Sequence, residues 1–260
     1  MSVTNASRRE RIREYLMRTH GASVQDLGNQ LQASEATIRR DIQILVKEPG
    51  FKRVRGGIGL DESKSELSVL QRGHLMRESK RIIGETAAEM VHDGEVIFLG
   101  SGSTTIEVAR HLADRRDLTV ITNSLPIINV LVDNPRINIV VAGGAMRRPE
   151  LSFIGHIVEK ALNELRADKV IMGIQGVHPE HGLTNEFLPE AILDRFLVRF
   201  APQLVIVADS SKVGKIKASF VGNIEDIGIL ITDADADPAL LSQITSRGVQ
   251  TVIAHGPTPA

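Results

Sequence analysis

The sequence predicts an α/β protein in two parts, a small helical N-terminal domain followed by a larger domain built on a mostly parallel sheet. Three observations lead to this fold class: apolar residues at helical spacing before residue 49, a polar stretch after residue 60, and seven short Val/Ile-rich runs that alternate with helical patterns from residue 96 onward. Such alternation is typical of a parallel sheet covered on both faces. We predict domains at residues 1–60 and 80–260 with a linker at residues 61–79, and 260 residues provide enough chain for both cores.

Charge is distributed unevenly between these parts. Residues 1–60 contain 11 Lys and Arg against 6 Asp and Glu, a balance of +5, whereas the remainder contains 20 against 26, a balance of −6. A basic segment attached to an acidic body indicates a polyanionic partner for the first domain alone. Aromatic residues make up 3% of the chain, so stacking platforms for single-stranded nucleic acid are not expected.

The composition also excludes several classes of protein. No apolar run reaches the roughly 18 residues that span a bilayer, and the Arg-rich N-terminus lacks the apolar segment of a signal peptide. We therefore expect a cytoplasmic protein that does not bind membranes. The absence of Cys excludes disulfides and thiolate metal sites. His178 and His181, with His156 as a further candidate ligand, could bind a metal, but Pro179 indicates a solvent-exposed loop, so we predict neither metal nor cofactor.

Three helices are predicted in the first domain. The first, residues 8–20, ends at Gly21 because glycine stops a helix, while Ser23 can cap the second and Ser34 the third. The apolar residues that recur at helical spacing are Ile12, Tyr15, Leu16, Val24, Leu27, Leu31, Ile38, Ile42 and Leu45.

The face of the third helix opposite its apolar residues is polar and basic. It contains Ala36, Arg40, Gln43 and Lys47, and it is flanked by Thr37 and Arg39. Two short helices joined by a turn of three or four residues, the second basic on its outer face, describe a helix-turn-helix. On this helix alone, a solvated charged face on a three-helix bundle is the favoured interpretation.

The segment after the third helix favours the DNA-binding interpretation. After a turn at Pro49 and Gly50, residues 51–55 alternate apolar and basic side chains before Gly56 and Gly57, which predicts one arm of a β-wing. Lys52, Arg53 and Arg55 would meet phosphates, and Arg40 and Gln43 would read bases because Arg pairs with guanine and Gln with adenine. The predicted DNA-binding residues are Ser34, Ala36, Thr37, Arg39, Arg40, Gln43, Lys47, Lys52, Arg53 and Arg55.

The larger domain is organised around residues 100–105, a Gly/Ser/Thr segment between a strand-like run and a helical pattern. Such a loop exposes backbone N–H groups at the positive end of a helix dipole and can bind phosphate. It lacks the Lys of a P-loop and the third glycine of a dinucleotide-binding loop, so by itself a simple tight turn is equally compatible.

The seven predicted strands are residues 96–99, 118–121, 137–141, 170–174, 204–208, 227–231 and 249–254. Ligands of such sheets bind beyond the carboxyl ends of the strands. Five segments that follow strands are rich in glycine and small polar residues: 100–105, 122–124, 143–148, 173–185 and 209–212. Each is compatible with ordinary turn chemistry, but together they predict a crevice for a small, anionic, hydroxylated ligand such as a sugar phosphate.

These motifs resemble the DeoR-type bacterial transcription regulators over nearly the whole chain. The resemblance is carried by residues 34–42 with the basic wing, and then, in order, by residues 80–84, 100–105, 122–124, 143–144 with Arg147, 182–184, and 208–212 with Gly214. It implies a winged helix-turn-helix domain followed by a Rossmann-like, mostly parallel α/β sensor domain similar to ribose-5-phosphate isomerase. In most members that domain senses a phosphorylated sugar.

The resemblance also implies roles for individual residues. Residues 102–105 would bind the phosphate, and Asn123, Thr184, Glu190 and Lys212 would line the sugar end. With the loops described above, the predicted effector-binding residues are Gly100, Ser101, Gly102, Ser103, Thr104, Thr105, Asn123, Ser124, Gly143, Gly144, Arg147, Thr184, Glu190 and Lys212.

The chain departs from the family pattern at three positions. Arg55 replaces a frequent His, Ile192 replaces a Glu, and Asp194 replaces a Lys. The charge reversal at Asp194 would alter which sugar phosphate is accepted. The identity of that ligand and the operator sequence stay open.

The implied function is a repressor of a sugar-catabolism operon, released from double-stranded operator DNA by a phosphorylated sugar and acting as a homo-oligomer, a dimer or a tetramer. Activation instead of repression, and the stoichiometry, stay open. The alternative is a sugar-phosphate isomerase-like enzyme, in which Glu190 would be the base and Lys212 would stabilise the enediolate. The acidic cluster of such isomerases is replaced here by residues 173–177, so we predict no enzymatic activity.

Overall fold

The computed structural model describes residues 5–19, 21–48, 50–60 and 66–256, and its chain forms two compact units, Met1–Met76 and Arg77–Ala260. His20 of the first predicted helix, Pro49 of the predicted turn and residues 61–65 of the predicted linker lie outside the described residues.

The first unit is a helix-turn-helix with a three-stranded antiparallel sheet. Its elements are α1 (Asn5–Thr19), β1 (Gly21–Ser23), α2 (Val24–Leu31), α3 (Glu35–Leu45), β2 (Phe51–Val54), β3 (Gly57–Leu60) and α4 (Val69–Arg72). Residues 32–34 form the turn between α2 and α3, and Gln32 has a left-handed φ of 50°. In the sheet, β3 pairs with β1 on one side and β2 on the other. The predicted helix-turn-helix and wing are confirmed, and β1 is an addition to them.

Two local features fix this unit. Ser23 caps α2 by accepting a hydrogen bond from the backbone N–H of Asp26, whose carboxylate accepts one in return from the Ser23 backbone. Gly57 lies against β1 so closely that a Cβ atom there would be 1.9 Å from the carbonyl oxygen of Ala22, and only glycine fits. The core behind the helices and the wing consists of residues with little or no exposure: Ile12, Leu16, Leu27, Ile38, Ile42, Leu45 and Ile58.

The second unit alternates strands and helices. Its elements are α5 (Arg77–Glu89), β4 (Val96–Leu99), α6 (Ser103–Arg110), β5 (Leu118–Thr122), α7 (Leu125–Leu131), β6 (Ile137–Val141), β7 (Ala145–Arg147), β8 (Ser152–Ile154), α8 (His156–Asn163), β9 (Lys169–Gly173), β10 (Gly176–His178), β11 (Gly182–Asn185), α9 (Leu188–Leu197), β12 (Gln203–Val207), β13 (Ser219–Gly222), β14 (Ile229–Asp233), α10 (Pro238–Ser246) and β15 (Gln250–Ala254).

Seven strands form one parallel sheet in the order β15-β14-β12-β9-β4-β5-β6. All seven are the strands predicted from the sequence, within two residues at either end, because each is a buried Val/Ile-rich run. Leu99 lies opposite both Thr122 and Ile171, and Thr122 lies opposite Val141. The carboxyl ends of β9, β4, β5 and β6 are therefore level, and the segments that follow them leave the sheet at the same edge.

The structure differs from the sequence-based prediction in the segments expected to be loops. Residues 143–148 contain β7, which pairs with β8 in a hairpin, and residues 173–185 contain β10 and β11, which form a second antiparallel sheet with β13. These strands are three or four residues long and contain glycine and polar residues in place of an apolar run. The predicted linker contains α4, capped by Ser68, and the first residues of α5.

Candidate functional site

The outer face of α3 presents the side chains that were predicted to contact DNA. Ser34 caps the helix, its Oγ accepting a hydrogen bond from the backbone N–H of Thr37 at 3.3 Å and lying 2.9 Å from the Thr37 hydroxyl. Thr37 is consequently half-buried. The other predicted residues of this face are exposed: Ser34, Ala36, Arg39, Arg40, Gln43 and Lys47.

The wing of the same unit contains three further exposed cations. Lys52 and Arg53 lie on β2, and Arg55 lies with Gly56 in the turn to β3. Lys52 and Arg53 belong to a sheet that contains β1, and Arg55 lies in the turn that joins two of its strands, so this sheet sets their backbone positions. A duplex could meet α3 and the wing as two basic surfaces of one domain.

The inner side of α3 is held by two ion pairs that the sequence pattern did not predict. Arg8 Nε lies 2.6 Å from Asp41 Oδ2, with the side chains only 13% and 5% exposed, and Arg13 lies 2.8 Å from Glu48. Both pairs join α1 to α3 or to the residues just after it. Asp41 follows Ile38 by three residues and therefore lies on the apolar face, where a buried carboxylate requires a partner; that spacing could have revealed it.

In the second unit, the segment after β4 has the geometry of an anion site. Gly102, with a left-handed φ of 146°, precedes the first residue of α6, and no side chain caps the helix. The first N–H groups of a helix lack partners within the helix, and the dipole makes this end positive. Ser101 and Gly102 are half-buried and Gly100 is buried; Ser103 and Thr104 keep 8% and 7% exposure, whereas Thr105 is fully buried with its hydroxyl donated to the Gly102 carbonyl at 2.9 Å.

Asn123 and Ser124 follow β5, next to that segment, and are almost fully buried. Asn123 Nδ2 donates to the carbonyl of Phe153 at 2.9 Å, and Ser124 pairs with Ser152 of β8 in an isolated antiparallel bridge. Asn123 Oδ1, Ser124 Oγ and Ser152 Oγ have no hydrogen-bond partner among the described residues. Ser152 was not singled out from the sequence, because a single serine in a short polar segment carries no signal.

Gly143 and Gly144 are half-buried between β6 and β7, and Arg147 ends β7. Arg147 Nε lies 2.7 Å from Glu190 Oε1 on α9, and the Arg147 guanidinium carbon lies 4.1 Å from the centre of the Phe187 ring. Two predicted site residues that are 43 positions apart in the sequence are thus brought into contact, and both side chains are almost fully buried. The guanidinium is already paired with a carboxylate, so it is not an open cation for a ligand phosphate.

Thr184 and Lys212 are placed differently from one another. The Thr184 hydroxyl, 3% exposed on β11, accepts a hydrogen bond from the backbone N–H of Lys217 at 2.9 Å, which occupies it within the second sheet. Lys212 is half-buried at the end of the 3-10 helix Ser210–Lys212, and no described residue forms an ion pair with it. Of these two, Lys212 is the better placed to meet an anion.

Asp194, where the family pattern has Lys, lies on α9 one turn after Glu190. Its Oδ2 accepts a hydrogen bond from Asn185 Nδ2 at 2.7 Å. Burial raises the pKa of Asp194 to about 7, against the Asn185 hydrogen bond, which lowers it, and with a smaller rise from the charge of Glu150. Glu150 is 4% exposed, so this carboxyl group, like that of Glu190, is almost fully buried.

Lys80 is a buried cation at the same edge of the sheet that the sequence analysis gave no role. It is 5% exposed on α5, and its Nζ lies 3.9 Å from Asp209, which follows β12. Ile83 and Ala87 lie three and seven residues after Lys80, so helical spacing alone would have placed it on the buried face.

The described residues contain no group of three or more His, Asp or Glu side chains arranged to hold a metal ion. His178 Nδ1 accepts hydrogen bonds from the backbone N–H groups of Glu180 and His181, an arrangement that stabilises a local turn. No helix in the described part of the chain has the length and apolarity needed to cross a membrane.

Two family models match this chain. The one described as the DeoR-like helix-turn-helix domain matches residues 8–64, and the one described as the DeoR C-terminal sensor domain matches residues 76–234. Together they match most of both units, and the second alone covers more than half of the chain.

Individual relatives agree with the family models. The chain is 33% identical to the HTH-type transcriptional regulator FruR of Bacillus subtilis over 82% of this chain and 84% of that protein. It is 30% identical to the transcriptional repressor GlcR of the same organism over 93% of both, and 29% identical to the transcriptional repressor CsqR of Escherichia coli over 89% and 88%. These names agree with the prediction that the chain is not an enzyme. Among solved structures, ribose 5-phosphate isomerase A of Methanocaldococcus jannaschii aligns with a TM-score of 0.39 at 22% identity over 53% of this chain and 54% of that one.

Proposed function

Because this chain belongs to the DeoR family of transcriptional regulators, we propose that it represses a sugar-catabolism operon and that a phosphorylated sugar releases it from DNA. The observation that carries the proposal is the pairing, within one chain, of an exposed basic helix-turn-helix face with an uncapped helix start at the ligand edge of a parallel sheet. The first is suited to duplex DNA and the second to a phosphate group.

On DNA, Arg40 and Gln43 read base edges from the exposed face of α3, since their side chains match guanine and adenine. Arg39, Lys52, Arg53 and Arg55 contact phosphates on either side of the groove. A homo-oligomer, a dimer or a tetramer, presents two such faces to repeated half-sites.

In the second unit, the effector phosphate lies at the start of α6 near Ser103 and Thr104, with Lys212 as its cation, and Asn123 meets the sugar. The effector releases DNA because it binds more tightly to the arrangement that does not bind the operator, and the population shifts accordingly. This accounts for a helix start without a side-chain cap and for Lys212, which has no ion-pair partner in the described part of the chain, at the same edge of one sheet.

The test uses the full chain and a DNA site selected from a random pool. A panel of pentose and hexose phosphates is then scored for release of that DNA and for a rise in melting temperature, which a ligand of the native state must cause. We expect at least one sugar phosphate to do both. Thr104→Val and Lys212→Ala should lose the release while the unliganded protein still binds its site.

Two outcomes contradict the proposal. Failure of the random pool to yield any preferred sequence would remove the DNA-reading role. Release that survives in both variants would show that the ligand site lies elsewhere.

A further inference from the structure

Ser124, Ser152 and Arg147 form a row across three short strand segments. Arg147 lies directly opposite Ser152 in the β7–β8 hairpin, and Ser152 lies opposite Ser124 in the isolated bridge. Residues directly opposite one another in antiparallel pairs project to the same face. The three side chains therefore point the same way, and Arg147 extends from the row to Glu190 of α9.

This row contains an unusual concentration of unsatisfied polar atoms. The hydroxyls of Ser124 and Ser152 are fully buried without a partner among the described residues, and the adjacent Asn123 Oδ1 is in the same condition. Ser124 stands at the N-cap position of α7, yet its hydroxyl caps no amide of that helix. Buried polar groups almost always have partners, so three unsatisfied oxygens in neighbouring positions indicate that their hydrogen bonds come from outside the chain, from ordered water or from a bound molecule.

The charge around the row determines which part of a ligand can lie there. The guanidinium of Arg147 is paired with Glu190, Asp194 lies one turn after Glu190 on α9, and the charge of Glu150 acts on Asp194, so three carboxyl groups lie near this part of α9 against the single, already paired guanidinium of Arg147. A phosphate group brought to this place would be repelled in a poorly solvated environment. A neutral hydroxyl, which both donates and accepts, can satisfy serine and amide oxygens at no electrostatic cost.

We propose that Ser124, Ser152 and the Asn123 side-chain oxygen form a subsite for the hydroxyl groups of the effector, and that this end of the pocket excludes a second anionic group. The effector is then a sugar monophosphate with a neutral far end, and sugar bisphosphates and phosphorylated sugar acids are rejected. This rests on the proposed function, because it assumes that the phosphate lies at the start of α6.

The experiment measures melting temperature and dissociation constant with the full chain. The probes are inorganic phosphate and two matched pairs, fructose 6-phosphate with fructose 1,6-bisphosphate and glucose 6-phosphate with 6-phosphogluconate. We expect at least one of the two neutral monophosphates to bind, and its doubly anionic counterpart to bind about tenfold more weakly or worse.

Ser152→Ala tests the row itself. We expect it to weaken the monophosphate about tenfold, to leave the affinity for inorganic phosphate unchanged, and not to lower the melting temperature of the unliganded protein, because the hydroxyl that is removed has no partner there. Ser124→Ala should behave in the same way. The matched control is Thr232→Val, which removes another buried, unpartnered hydroxyl on β14, outside the row, and should leave the monophosphate affinity unchanged.

The outcomes separate this inference from the proposed function. If no monophosphate binds the wild-type protein or affects its DNA binding, both are overturned. If a monophosphate binds but Ser152→Ala and Ser124→Ala bind it equally well, or weaken inorganic phosphate by the same factor, the hydroxyl subsite is overturned and the proposed function stands. If a monophosphate and its doubly anionic counterpart bind with equal affinity, the proposal that this end of the pocket excludes a second anionic group is overturned.

Discussion

The two candidate sites place their polar side chains in opposite ways. On α3 and the wing, cations such as Arg40 and Arg53 are exposed to solvent, whereas in the second unit Arg147, Asn123 and Ser124 are almost fully buried. A duplex arrives as a large polyanion at an open surface, so its contacts can remain hydrated until it binds. A small ligand has to be enclosed, so the groups that bind it are desolvated beforehand and either pair with each other or stay unsatisfied.

The strongest test of this comparison is whether the two units can be damaged separately. Gly57→Ala would place a Cβ atom 1.9 Å from the Ala22 carbonyl oxygen, so β3 must move away from β1. We expect a loss of about 3 kcal/mol in the stability of the first unit, with loss of DNA binding. Differential scanning calorimetry of the full chain should show the transition of the second unit unchanged.

The control for that variant is Gly56→Ala. Gly56 has a positive φ of 81° with no atom within 4 Å of the added carbon, so only backbone strain of about 1 kcal/mol is expected. Equal losses from the two variants would contradict the close approach of β3 to β1.

The next test distinguishes residues of the proposed DNA face that contact bases from those that contact phosphates. Arg40→Ala should weaken binding to the selected DNA site by about 1–3 kcal/mol and relax its sequence preference, because it removes a base contact. Arg53→Ala should weaken all sequences alike and flatten the dependence of affinity on salt, because it removes a phosphate contact. Titrations of specific and random DNA at several salt concentrations distinguish the two. Equal effects of both variants on random DNA would refute the assignment.

In the second unit, the test is how the free energy of unfolding depends on pH. With its pKa raised to about 7, Asp194 keeps a proton in the native state between about pH 4 and 7 that the unfolded chain has lost. Because the native state binds more protons than the unfolded chain in this range, the protonation of Asp194 stabilises the native state. This contribution to the free energy of unfolding is complete below about pH 4 and is lost as the pH rises through about 7. Asp194→Asn should therefore exceed the wild type in stability by about 1–2 kcal/mol near pH 8 and by almost nothing near pH 4. Urea unfolding at both pH values checks this, and a difference that does not vary with pH would contradict it.

The smallest expected effect is again on the open surface. Glu35 and Arg39 form a pair at 3.1 Å, and both side chains are more than half exposed. Glu35→Gln removes a negative charge from the face that meets phosphates, so binding to any DNA should tighten by about 0.5 kcal/mol, at a similar cost in helix stability. A gain confined to one sequence would indicate that Glu35 takes part in base reading.

The sequence predicted the parts of the fold that depend on local pattern. All seven strands of the parallel sheet were predictable, because runs such as those of β4 and β12 are continuously apolar. The antiparallel pieces were not, since Gly182–Asn185 and Ala145–Arg147 contain no such run and β11 pairs with β13 more than 30 residues later. Pairing of that kind depends on long-range packing, which a single sequence does not display.

The two candidate sites differ in the same respect: one depends on local sequence pattern and the other on contacts between distant segments. For the proposed DNA face the structure checks exposure alone: of its ten predicted residues only Thr37 is half-buried, because on α3 exposure follows directly from helical spacing. The second site depends on contacts between distant segments, such as Arg147 with Glu190 and Ser124 with Ser152, so its residues could be named without their partners. Asp194 illustrates the limit: its difference from the family pattern was visible, but its contact with Asn185 was not.

The ion pairs on the inner side of α3 have a consequence for how such regulators diversify. Arg8 and Arg13 anchor the helix through Asp41 and Glu48, while Ala36, Arg40 and Gln43 project away from these anchors. Under the base-reading role proposed for Arg40 and Gln43, exchanges at the projecting positions retarget the protein to a new promoter at little folding cost, because these side chains are exposed. Duplicated copies of such a gene could acquire different regulons through a few point mutations, with the scaffold inherited unchanged.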